Sequence, residues 1–188
     1  MLNNKGLLID RNRRNIKMLV RQERMEDYNT VYKVIEQAFK SAEHSDGNEQ
    51  DLVVSLRKSD SFLPELSLVA QIDEKIVGHI LFTKIQIGHD TELALAPLAV
   101  LPEYQKKGVG RALVLEGHRI AKDLGFHYSV VLGSETYYPK MGYVPANNYG
   151  IKAPFDVPDE NFMAIKLQEN SPAIEGTVIY AKEFGELE

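Results

Sequence analysis

The sequence predicts an α/β (α+β) fold: one mixed, mostly antiparallel, twisted sheet with helices packed on it. Three observations predict it. Runs of β-branched and apolar residues alternate with segments whose apolar residues recur every three or four positions. Two of the strand-like runs, 66–72 and 76–87, are separated only by Asp73, Glu74 and Lys75; that break is short enough for a hairpin and rules out a purely parallel sheet. The length of 188 residues suits a single domain that can bury its own core.

Residues 1–17 are rich in Asn and Arg and carry no sustained period, whereas Met18-Leu19-Val20-Arg21 opens the first strand. The domain is therefore placed at 18–188, with 1–17 as a basic N-terminal extension. Tyr28, Val31, Ile35 and Phe39 fall on one face of a helix, and the polar stretch 41–48 ends that pattern. Leu52, Val53 and Leu56 mark a second, shorter helix. The hairpin follows, then a turn at Gly88-His89-Asp90 and a nearly continuous apolar strand over 93–100. Pro97 interrupts that strand, and since proline donates no ladder hydrogen bond, the strand should bulge or splay there. Val109, Leu113, Gly117, Ile120 and Leu124 give the longest later helix, stopped by Gly125. A fifth strand over 128–132, a loop over 133–143 with at most one helical turn, and two last strands at 162–167 and 177–180 complete the chain.

Composition excludes several kinds of function. With no cysteine there are no disulfides, thiolate metal sites or cysteine nucleophiles, a pattern compatible with the reducing cytoplasm. The five histidines do not fall at metal-ligand spacing, so no metal is expected. No stretch approaches the ~20 apolar residues of a membrane span, so no membrane partner is expected. Net charge is −5, although Lys5, Arg11, Arg13, Arg14 and Lys17 face only Asp10 in the extension, so the rest is more acidic still. An acidic body argues against nucleic acid as a partner.

The strongest functional signal is Gln105-Lys106-Lys107-Gly108-Val109-Gly110, set between the proline-bearing strand and the longest later helix. The first N–H groups of a helix lack internal partners and lie at the positive end of its dipole, so a phosphate placed there satisfies several donors. Gly108 and Gly110 allow close backbone approach, and Lys106 and Lys107 add positive charge. Two other phosphate motifs fail. There is no Gly-x4-Gly-Lys-Ser/Thr run, and a dinucleotide fingerprint would need glycine where Leu113 stands. Nor does Gly133-Ser134 form part of a nucleophile elbow.

These residues resemble the GNAT superfamily of N-acetyltransferases, whose signature Gln/Arg-x-x-Gly-x-Gly/Ala is matched by Gln105, Gly108 and Gly110. The block from Leu95 to Gln105, together with Leu66-Ser67-Leu68-Val69-Ala70, Val77-Gly78-His79-Ile80 and Gly176-Thr177-Val178, is similar to the YhbS-like bacterial branch. The resemblance implies one acyl-CoA-dependent N-acyltransferase domain, with acetyl-CoA as acyl donor and an amine as acceptor. It implies a sheet splayed between the fourth and fifth predicted strands, the pantetheine arm lying along the backbone of Leu98, Ala99 and Val100. The amides of Lys106, Lys107, Gly108, Val109, Gly110, Arg111 and Ala112 would then take the pyrophosphate.

The resemblance also points to Tyr138 as the acid that protonates the departing thiolate: it stands four residues before Gly142-Tyr143, as the family's tyrosine does, and Tyr137 is then the packing residue. A phenol and a thiol differ little in ordinary pKa, so that transfer is expected to be close to thermoneutral. No base can be assigned. The fourth strand has no acid between Leu93 and Val100; Glu135, His79, Glu49 and Glu65 are candidates by location, and a water relay is an equal alternative. The loop Gly133-Ser134-Glu135-Thr136 lacks the asparagine that often touches pantetheine. A phosphate loop certifies binding and not chemistry, so a non-catalytic acetyl-CoA sensor is the competing function. The acceptor, the acyl chain length and a homodimer are left open.

Overall fold

The computed structural model describes residues 7–11, 16–40 and 47–185. Strands β1 (Leu7–Arg11), β2 (Ile16–Gln22), β3 (Phe62–Ile72), β4 (Lys75–Ile87), β5 (Asp90–Val100), β6 (Tyr128–Leu132), β7 (Val144–Pro145) and β9 (Phe162–Lys166) form one path in the order β1-β2-β3-β4-β5-β6-β9-β7. β10 (Gly176–Ile179) pairs with the far end of β4 and, in parallel, with β8 (Ile151–Lys152). Neighbours from β1 to β5 are antiparallel, β5 and β6 run parallel, and β6 and β9 are antiparallel again. This is the mixed, mostly antiparallel sheet that the hairpin at 73–75 predicts.

Among the described residues three α-helices flank it: α1 (Tyr28–Phe39), α2 (Glu49–Leu56) and α3 (Val109–Asp123). β4 is covered on both faces, since every residue from Ile76 to Thr83 is buried. Gly78 and Phe82 point to α3. A Cβ on Gly78 would lie 3.0 Å from Val109 and 3.1 Å from Leu113, and one on Gly117 would run into the Phe82 ring. Glycine at 117 thus lets a fully buried phenylalanine sit under the helix, a burial worth about 1.5–3 kcal/mol. Between them His79 faces the opposite way, 3.1 Å from the Ser67 hydroxyl and 3.8 Å from Glu23, whose carboxylate also holds Arg57 at 2.5 Å. The Arg57 guanidinium in turn lies 4.0 Å over the Tyr28 ring, tying the end of α2 to the start of α1.

The structure departs from the sequence expectation at places where local pattern is weak. Leu7–Arg11, within the segment assigned to the extension, pair residue for residue with Ile16–Val20, so the first strand of the sheet lies ahead of position 18 and β2 begins at Ile16. β3 starts four residues earlier than its apolar run, across an irregularity between Phe62 and Ser67 that contains Pro64. β7 and β8, two residues each, are too short to show a period.

Candidate active site

The fourth and fifth predicted strands are β5 and β6, and they part company halfway along. Leu93 pairs with Ser129 and Ala94 with Val130; among the described residues no pairing between the two strands continues past Ala94. At the same point β5 bulges away from β4: Leu95 faces Phe82 and Leu98 faces Ile80, so one more residue lies on β5 than on its partner, at Ala96 and Pro97. The Ala96–Pro97 peptide is cis. On the closed side, the buried Glu92 carboxylate accepts the N–H groups of His127 and Tyr128 at 2.9 and 2.8 Å, pinning the start of β6 to β5.

The opening is a cleft of about 1270 Å³. Leu98 and Val100 line it from β5; Gln105, Lys106, Gly108, Val109, Gly110 and Arg111 line it from the glycine turn and the start of α3. Gly133, Ser134, Glu135, Tyr137 and Tyr138 line it from the segment after β6, and Phe39, Glu49, Leu52, Val157 and Pro158 also belong to its lining. Of the expected cofactor residues, Ala99, Lys107 and Ala112 do not line it. Ala99 is buried opposite His79, and the Lys107 ammonium sits 5.3 Å from the centre of the Tyr104 ring. The Ala112 N–H donates to the Gly108 carbonyl at 3.1 Å, so the amides ahead of the helical ladder end at Arg111.

The turn's backbone explains its residues. Gly108 caps α3 at φ 81°, where a side chain would be strained, and Lys106 adopts φ 57°, a left-handed conformation uncommon for non-glycine residues that Asp73 and Glu74 also take in the hairpin turn. Gln105 turns its carboxamide back and donates to the Val100 carbonyl at 3.2 Å, which fastens the turn to the end of β5. The helix start thereby presents the amides of Val109, Gly110 and Arg111 toward the splay.

The paired tyrosines are both in the cleft. Tyr138 is buried, and its ring occupies the space a Cβ on Gly133 would fill. It packs edge-on against Tyr137 at 5.2 Å and Tyr143 at 5.6 Å. Burial, reinforced by Tyr137, pushes its hydroxyl far above the usual phenol range. The group therefore stays protonated across working pH, and the pKa of a thiolate formed in the same apolar cleft would be raised by the same burial. Tyr137 packs on the first turn of α3, since a Cβ on Gly110 would run into its hydroxyl. The family resemblance singled out Tyr138, but the sequence held no signal for Gly133 or for the Tyr137–Gly110 contact. It also missed Asn161, whose side chain donates to the Gly133 carbonyl and to Glu135, each at 3.1 Å, and so brings an asparagine to the loop from β9's side.

The four base candidates separate. His79 is fully buried outside the cleft, where it cannot reach an acceptor, and burial, with Arg57 adding to it, presses its pKa down to about 3. Glu65 does not line the cleft, whereas Glu49 and Glu135 do. Among the described residues there is no group of three or more His, Asp or Glu that could hold a metal ion, and no helix is long and apolar enough to cross a membrane.

Several known proteins are similar to this chain in sequence or fold. The N-acetyltransferase YjhQ of Escherichia coli K12 is 43% identical over 118 residues, which cover 60% of this chain and 65% of YjhQ, just under two thirds of its length. The crystal structure of the E. coli GNAT N-acetyltransferase YhbS in complex with CoA superposes with a TM-score of 0.83 at 25% identity, covering 95% of this chain and 97% of that one. A GNAT family acetyltransferase of Brucella melitensis, solved with acetyl-CoA, gives 0.74 at 30% identity, covering 89% and 97%. The model of the acetyltransferase (GNAT) family matches residues 26–143. That span runs from the start of α1 through the splayed strand to the paired tyrosines, more than half of the chain, and on it the protein belongs to the GNAT family.

Proposed function

We propose that this protein is an N-acetyltransferase that moves an acetyl group from acetyl-CoA to a primary amine of a small molecule or protein, by direct transfer with both substrates in the cleft. One observation carries the reading: the unpaired half of β5 opens beside the amide-presenting start of α3, giving an extended backbone edge and an anion site in one cleft. The residues fit the donor. Val109, Gly110 and Arg111 would hold its pyrophosphate through their amides with Lys106 nearby, and the backbone of Leu98 to Val100 would hold the pantetheine arm. Its thioester supplies the activated acetyl group. Tyr138 donates its phenolic proton toward the sulfur as the C–S bond breaks; the raised pKa makes it a constant donor, with full transfer only as the thiolate forms. YhbS was solved with CoA and the Brucella protein with acetyl-CoA, which supports the choice of donor. The cysteine-free sequence suits a cytoplasmic location.

A second reading, an acetyl-CoA-binding sensor, draws on the lack of any acid from Leu93 to Val100. Release of free CoA thiol from acetyl-CoA, measured against a panel of amines, polyamines, aminoacyl compounds and peptides, separates the two. The enzyme reading expects amine-dependent release with at least one class; release with none, despite tight acetyl-CoA binding, favours the sensor.

A further inference from the structure

Glu49 is the first residue of α2, and α2's other polar side chains show by contrast what is unusual about it. Asp51, also in the first turn, accepts the Tyr32 hydroxyl at 3.0 Å, and Gln50 donates to the Gly47 carbonyl at 2.7 Å. Glu49 has one oxygen, Oε2, that is buried and has no hydrogen-bond partner. A carboxylate in the first turn of a helix is favourable from solvent, so helix stability gives no reason to bury an oxygen unsatisfied. The side chain lines the same cleft as Tyr138 and the open half of β5. The same lining includes the apolar residues Phe39, Leu52, Val157 and Pro158, none of which can donate a side-chain hydrogen bond. The cleft's second carboxylate, Glu135, is held by Asn161.

We infer that Glu49 receives the acceptor's amino group, and that the acceptor is a primary amine with an apolar body and no carboxylate beside the nitrogen. This rests on the acetyltransferase reading. A turn of the half-buried Glu49 side chain toward the cleft would bring Oε2 to an ammonium, which supplies the donor it lacks; the apolar part of the lining covers the body, and Glu49 with Glu135 repels an acceptor that carries its own carboxylate. Two protons leave the nitrogen. Glu49 takes the first from the ammonium and passes it to water; the lone pair so freed forms the C–N bond at the thioester carbonyl. As the C–S bond breaks, its electron pair leaves with the sulfur, which takes the Tyr138 proton. The second nitrogen proton restores the phenol, leaving amide, CoA thiol and one proton in water.

Phenethylamine and phenylalanine test this, because they differ only by the carboxylate. The full chain should favour phenethylamine in kcat/KM by about tenfold or more. Glu49→Gln should lower kcat/KM for phenethylamine by about 10²-fold and shrink its advantage over phenylalanine, and Glu49→Asp should recover part of the loss. Calorimetric titration of phenethylamine into the CoA-bound protein supplies a readout apart from turnover, with binding weakened in Glu49→Gln. The acetyl-CoA melting shift should be the same in all three proteins, which also shows that the variants fold. An unchanged rate, preference or phenethylamine affinity in Glu49→Gln would overturn the assignment. Wild-type acetylation of other amines but not phenethylamine would overturn the substrate class. No melting shift with acetyl-CoA in the wild type would instead overturn the acetyltransferase reading beneath it.

Discussion

The two halves of β5 differ in composition and behave oppositely: Asp90 to Glu92 open the strand with polar residues, whereas Leu95 to Val100 are all apolar. Leu93 and Ala94 are paired on both sides, with β4 and with β6, and Glu92 clasps the N–H groups of His127 and Tyr128 at the start of β6. From Leu95 onward it keeps β4 but gives up β6, and the space between them becomes the cleft. The closed half satisfies its own backbone; the open half leaves one edge to a ligand. A proline bulge divides the two, so one strand can anchor the sheet at one end and serve as a binding edge at the other. Sheet stability and function are thus separable along a single strand.

The open half should give the largest effect. Tyr138→Phe keeps the ring against Tyr137 and Tyr143 but removes the donated proton, and turnover should fall by roughly 10²–10⁴-fold with acetyl-CoA affinity within a few-fold. Tyr137→Phe is the matched control, and an equal loss there would move the acid role to Tyr137. Next comes Gly110→Asp, which would force Tyr137 aside and set a negative charge where the pyrophosphate belongs. An acid in the first helical turn favours the helix itself, so the protein should fold but lose the stabilisation that acetyl-CoA gives, about 2.7 kcal/mol at a hundredfold excess over Kd. Retention of that melting shift would show that the donor does not use this turn.

The closed half should answer in stability alone. Glu92→Gln weakens the clasp on His127 and Tyr128 and should cost about 1–3 kcal/mol in denaturant unfolding, with little change in turnover. Its pH dependence has a definite sign. Burial outweighs the two N–H bonds and raises the Glu92 carboxyl above its ordinary range. The folded state therefore holds this proton more tightly than the unfolded state, and its contribution declines as pH rises from the ordinary carboxylate value through the raised one. Without that titration, the Glu92→Gln stability curve should be flatter over this window, and the gap to the wild type should be widest on the acid side. A cost that instead grew toward neutral pH would contradict the role given to burial.

What was legible in the sequence follows from how far each signal reaches along the chain. Pro97, the glycines at 108 and 110 and the spacing of Tyr138 before Gly142-Tyr143 act within a few residues, and each marked its feature in advance. Glu92 gave no sign, because its partners lie 35 and 36 residues away. Asn161 reaches Glu135 across 26 residues, and the Tyr137 hydroxyl meets Gly110 only through the tertiary fold. Glu49 could be placed only by location in the sequence, since its orphaned oxygen and the cleft it lines arise only in the tertiary fold. β1 stayed hidden for a different reason: Leu7–Arg11 lie in an Asn- and Arg-rich stretch, and it is the pairing with β2 that makes them a strand.

The central claim is that the open half of β5 and the start of α3 together form an acetyl-CoA site. Thermal unfolding of the full chain over a series of acetyl-CoA concentrations tests it most directly. The melting temperature should climb with ligand concentration as mass action requires, and Gly110→Asp should show no climb. A wild-type melting temperature that stays flat up to millimolar acetyl-CoA would contradict the claim.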